Sequence, residues 1–221
     1  MTLTRISHKQ LTQWVASGTA ALALFSFAAA KPATAAPAAG TLVIGSVDIN
    51  RLQVGSTRKA KYDADLRTLA ERLEAALKTQ ATNLMLDLSD QNELGTLLTN
   101  SRPSTSDQAR IATLEAKATA NAQRLIDLQQ AKSPTPADTA QLGQLNDLNS
   151  NGQKIVQDVA AGYQSRLKKL NDEDTAAFTQ AVKEAITATA QQRGLTVVFT
   201  SDIAVYTTND ITDDVIKRIN K

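Results

Sequence analysis

The chain has 221 residues, with 24 Lys and Arg against 22 Asp and Glu, one His and no Cys. Without cysteine there is no disulfide to staple it and no Cys-based zinc site or thiol nucleophile. Three of the 24 basic residues (Arg5, Lys9, Lys31), the sole histidine (His8) and the sole tryptophan (Trp14) lie in the first 35 residues. The remainder has 21 basic and 22 acidic residues, a net charge near −1 that removes the main support for nucleic-acid binding.

Those first residues form a basic start, an apolar run of 17 residues from Trp14 to Ala30, and an A-x-A site at Ala33-Thr34-Ala35. The pattern predicts a secretory signal peptide over 1–35, cleaved near Ala35, and a flexible lead-in over 36–40. The alternative is a transmembrane anchor, for which the run is short against the roughly 20 residues a span needs. Cleavage would release an exported mature chain without His, Cys or Trp. A Ser-His pair is then impossible, the nine glycines form no phosphate loop, and the carboxylates alternate with Lys and Arg as on a solvated helix. The expectation is a protein that is not an enzyme and uses no cofactor.

Two short apolar segments, Leu42 to Ile49 and Leu195 to Tyr206, sit at the ends of the mature chain and predict strands of one small sheet. Ile44, Val47, Ile49, Leu195, Val197, Phe199 and Val205 are its candidate body and oligomerisation residues. Leu195, Val197 and Phe199 share one face by the strand period of two, as do Ile203 and Val205.

The sequence between them is helical in pattern. Leu66, Leu69, Leu73, Leu77, Leu84 and Leu88 make a first stripe; Ile111, Leu114, Ala118, Leu125 and Leu128 a second; Leu142, Leu145, Gly152, Val156, Val159 and Tyr163 begin a third that runs on through Phe178, Val182 and Ile186. Breaks are predicted at 101–106, around Pro103, and at 133–136, around Pro134 and Pro136. At an offset of 31 residues Pro103 matches Pro134, Asp107 matches Asp138, and Ile111 and Leu114 match Leu142 and Leu145.

One version of this region has a helix over 57–99, a return over 153–193 and a turn at Asn149-Ser150-Asn151-Gly152. The other kinks at Pro103 and turns at Pro134. Gly194 is the predicted C-terminal cap. Thr212 is the predicted N-cap of a last helix, with Ile211 stapled to Ile216 and acids Asp213 and Asp214 in its first turn.

Few aromatics remain for a compact core: Tyr62, Tyr163, Phe178, Phe199 and Tyr206. Elongation and association supply the missing burial. Fold class is therefore α+β, mostly α: a small β-sheet body from 41–56 and 194–221, and a long α-helical hairpin, a coiled-coil arm, over 57–193. Leu84, Met85, Leu88, Leu94, Leu97 and Leu98 form a wide apolar surface, the candidate contacts for a bound partner; packing against the returning helix is the equal alternative.

The ends carry a specific resemblance. Ile44-Gly45-Ser46-Val47-Asp48-Ile49-Asn50-Arg51, Arg193-Gly194-Leu195-Thr196-Val197-Val198-Phe199 and Asp210-Ile211-Thr212-Asp213-Asp214-Val215-Ile216-Lys217 resemble the Skp/OmpH-like family of periplasmic outer-membrane-protein chaperones. The resemblance implies a homotrimer joined through the body, with helical arms around a cavity that holds unfolded outer-membrane proteins without ATP, touching the membrane only indirectly. Members tend to be strongly basic, whereas residues 81–160 here carry six basic and nine acidic residues, so no lipopolysaccharide site is carried over. The alternative function is a structural coiled-coil spacer or adaptor of the cell envelope.

Overall fold

The computed structural model describes residues 41–204 and 206–221. The predicted signal peptide, its lead-in and the candidate Val205 lie outside them. The described chain is mostly helical, with one small sheet: β1 (Ile44–Val47), α1 (Ile49–Gly55), α2 (Thr57–Thr82), α3 (Leu88–Thr99), α4 (Thr105–Gln130), α5 (Pro136–Gln192), β2 (Val197–Thr200) and α6 (Thr212–Ile219). It divides into a helical unit, residues 66–169, and a sheet unit, residues 41–65 and 170–221.

In the sheet unit the two end segments do pair. β1 and β2 run parallel, Ile44 opposite Val197 and Gly45 opposite Val198. A parallel pair cannot be closed by a tight turn, which accounts for the long helical crossover between them. The other side of β1 is covered by the segment before α6, where Ser46 N–H donates to Asn209 O (3.0 Å) and Ile211 N–H to Ser46 O (2.9 Å). Val47, Leu52, Phe178, Val182, Ala185, Ile211, Val215 and Ile219 form one buried core, with Leu195, Val198 and Ile216 packed against it.

Local chemistry sets the joints of this unit. Asp48 ends β1 because its carboxylate accepts from Arg51 N–H (3.0 Å) and starts α1, so the predicted first strand stops two residues short of Ile49. Gly194, at φ 66°, terminates α5, with Leu195 N–H reaching back to Ala190 O (2.9 Å). Gly45 lets Leu195 lie over the strand: a Cβ there would stand 2.5 Å from Leu195 Cδ1. Asn220 closes the unit by accepting from Thr57 N–H and donating to Gly55 O, both at 2.9 Å.

Two expectations for this unit are corrected, on Ile203 and on Thr212, and packing decides a further point, the face of β2 that meets the core. Residues 201–203 form a turn in which Ile203 and Ala204 N–H both donate to Thr200 O (3.0 Å), so no strand contains Ile203. The face of β2 that meets the core is that of Val198, and Phe199 points away from it. Thr212 is the first helical residue of α6 rather than its cap; its N–H is taken by the Asp210 carboxylate (2.8 Å), and its buried hydroxyl accepts from Asp48 N–H (2.9 Å).

In the helical unit two predicted features fall differently. The helix expected over 57–99 stops at Thr82 and restarts at Leu88, where Asp87 caps α3 by accepting from Asp90 N–H (2.9 Å). Asn149 to Gly152 is no turn but part of the unbroken α5. Gly152 is needed for a close approach instead: a Cβ there would lie 2.1 Å from the backbone oxygen of Leu84.

The 31-residue offset reappears at the helix starts. Ser104 and Asp107 form a reciprocal capping box at α4, and Thr135 and Asp138 exchange the same bonds at α5. Leu114 and Leu145, equivalent under that offset, enter one core with Met85, Leu86, Leu94, Ala118 and Leu128.

Candidate functional site

The predicted client-contact residues sit around α3 in the helical unit. Met85 and Leu94 are buried in the core, and Leu97 and Leu98 pack against it. Met85 and Leu94 thus face the inside of the unit in this arrangement, and Leu97 and Leu98 are half-buried against it. Leu84 is half-buried, while Leu88 remains 59% exposed. The run from Leu84 to Leu98 is apolar because α3 turns back into a helical bundle, an arrangement that stripe periodicity alone does not encode.

Polar side chains fix α3 from both directions. Gln80 Nε2 donates to Gln91 O (2.8 Å), and Gln91 Nε2 donates to Asn83 O (2.6 Å). Gln91 Oε1, in a fully buried residue, finds no hydrogen-bond partner among the described residues. Tyr163 approaches Gln80 Oε1 at 3.5 Å, and burial pushes its phenol pKa up. Toward α4, Arg110 grips Glu93 with two bonds of 2.8 and 2.7 Å. Lys117 pairs with Asp87 (3.2 Å) and Asp90. Asn121 Nδ2 also donates to Met85 O (2.9 Å).

These bonds shift the titration of their groups. The Asp90 backbone N–H, and secondarily Lys117, hold Asp87 below the ordinary carboxylate range, and Arg110 does the same for Glu93. The capping bonds from Ser104 and Thr135 lower Asp107 and Asp138. Burial pushes Asp210 up, but the Thr212 bonds and Arg51 outweigh it and the pKa is lowered. A depressed folded-state pKa gives stability that is present above the unfolded value and lost as pH falls through the folded one. The urea midpoint is therefore expected to be flat from neutral pH down to about pH 5 and to fall below about pH 4, read by far-ultraviolet circular dichroism. A midpoint unchanged at about pH 3 contradicts these assignments.

The sheet unit holds most of the exposed large apolar side chains: Leu42, Ile44, Val54, Phe199, Ile203 and Tyr206 there, against Leu88 and Ile126 in the helical unit. Ile44 and Phe199, each 37% exposed, lie on the sheet face turned from the core. Of the other predicted body residues, Val47 is in the core, Ile49 and Leu195 pack against it, and Val197 is half-buried. Residues that sequence reasoning missed are Gln80 and Gln91; two glutamines 11 apart on separate helices leave no local signal.

Among the described residues no group of His, Cys, Asp and Glu could hold a metal ion, and no helix is long and apolar enough to cross a membrane. What remains is a class defined by its parts: a mostly helical chain whose crossover joins the two strands of a parallel sheet and carries its own helical bundle. The chain belongs to the OmpH-like outer membrane protein family, whose model matches residues 101–219. The match takes in α4, α5, β2 and α6. No curated protein and no solved structure matches the chain.

Proposed function

We propose that this chain is an ATP-independent periplasmic holdase for unfolded outer-membrane proteins, exported with cleavage near Ala35 and trimeric through its sheet body. In this reading residues 57–193 form the arm, and three arms surround the client. The observation that carries it is the family match over residues 101–219, together with the resemblance of the β1 segment that precedes the match. The outward Ile44 and Phe199, partly exposed on one sheet face, support the body as the place of association, since apolar side chains left in water favour burial against a partner. Many weak contacts from several arms would hold a client that can still be released.

A second reading, an envelope spacer or adaptor, draws support from the helical unit, where Leu88 and Ile126 are the large apolar side chains left exposed. Dilution of a urea-unfolded outer-membrane β-barrel protein into buffer separates the two. A holdase suppresses light scattering at near-stoichiometric trimer; scattering unaffected by the chain overturns the holdase and favours the spacer.

A further inference from the structure

The geometry points to α3 as a displaceable internal occupant of an apolar groove, seated where an apolar segment with acidic side chains from another protein would bind. The inference deepens the holdase reading, on which it rests for the identity of the client, though not for the opening itself.

Four observations carry it. First, α3 is bounded on both sides by non-helical segments, 83–87 and 100–104, so it can leave without unwinding α2 or α4. Second, its sequence is a poor helix: Gly95 sits in its middle among Ser89, Asn92 and Thr96, so little intrinsic propensity is lost on release. Third, beside the buried Leu94 and the half-buried Leu97 and Leu98, part of its attachment is polar. The Glu93–Arg110 pair is partly exposed on both sides, where an ion pair contributes little, while the Asp90–Lys117 pair is half exposed on its lysine side only. Gln91 Oε1 is buried without a hydrogen-bond partner among the described residues, a penalty relieved when α3 departs. Fourth, the core it joins through Leu94 is built mostly from other helices: Leu114, Ala118 and Leu128 on α4 and Leu145 on α5.

Withdrawal of α3 would thus leave an apolar surface on α4 and α5 flanked by the freed cations Arg110 and Lys117. The seat states its own ligand chemistry, because what fills it now is leucines with carboxylates beside them. An unfolded segment of that composition competes with α3, which makes α3 an autoinhibitory contact.

Native-state hydrogen exchange tests the opening and a peptide tests the groove. In the full chain, amides of residues 88–99 are expected to exchange about tenfold or more faster than those of 105–130, by an opening that leaves α4 protected. Asp90→Asn with Glu93→Gln, which loosens α3 but keeps Arg110 and Lys117, should speed that exchange several-fold again. The same variant should bind a labelled synthetic peptide copying residues 84–100 at least about fivefold more tightly than the native chain does. Exchange of α3 in step with α4, or equal peptide affinity for variant and native chain, overturns the proposal. A native chain that fails to suppress client aggregation overturns the holdase reading, and the exchange and peptide results then decide the groove by themselves.

Discussion

Gly152→Ala is expected to lower the urea midpoint of the chain, while Gly143→Ala and Gly162→Ala, on the same helix, raise it. All three glycines lie inside α5, so each alanine gains about 1 kcal/mol of helix propensity. At Gly143 and Gly162 nothing lies within 4 Å of the added carbon, and the gain is kept. At Gly152 the new Cβ would stand 2.1 Å from Leu84 O and 2.9 Å from Leu84 C. Those are backbone atoms, with no rotamer to change, so α5 must move away from the α2–α3 joint by more than an ångström. Overpacking typically costs about 1–3 kcal/mol, and a backbone obstacle belongs at the top of that range, leaving a net loss near 2 kcal/mol. Three midpoints from far-ultraviolet circular dichroism at one protein concentration check the contrast. A stabilised Gly152→Ala means the joint does not touch α5.

Ile211→Ala is expected to cost about 2–4 kcal/mol, a large part of the total stability of a domain of this kind. Ile211 is fully buried in the sheet-unit core, and its N–H donates to Ser46 O, so its side chain and backbone both tie the α6 segment to β1. The alanine leaves a cavity between Val47, Val215 and their neighbours. Ile211→Val, which removes one methylene, should cost about 0.5–1.5 kcal/mol. Phe199→Ala serves as the contrast: the ring is larger but already partly exposed and turned from the core, so within a protomer it should cost less than Ile211→Ala. Equilibrium denaturation of the three variants gives the order; Phe199→Ala as the most damaging within the protomer would contradict the packing described.

Much of the sheet unit was legible because its signals are local. The short apolar runs around Ile44 to Val47 and Val197 to Thr200 mark two strands, and Gly194 supplies the left-handed residue that ends α5. The parity of β2 was not legible, since Val197, Val198 and Phe199 are all apolar and only packing decides which one faces Val182 and Ile211.

The α2–α3 break was missed because no proline or glycine marks it. Its signal was Asp87 three residues before Asp90, a capping arrangement easily lost beside a leucine stripe. Gly152 misled for the opposite reason: glycine beside asparagine usually reads as a turn, and here it answers a clearance between Leu84 and α5. The Leu84 to Leu98 run shows the general limit. Composition tells that these side chains avoid water, but whether a neighbouring helix or a foreign chain covers them depends on contacts distant in sequence, such as Asn121 with Met85.

The claim on which the functional account depends is that three copies join through the outward face of the sheet unit. Light scattering coupled to size-exclusion chromatography measures this directly on the purified chain. The account predicts a mass three times that of the protomer, falling to a single protomer in Phe199→Asp with its helical content retained. A native chain eluting with the mass of one protomer would contradict it.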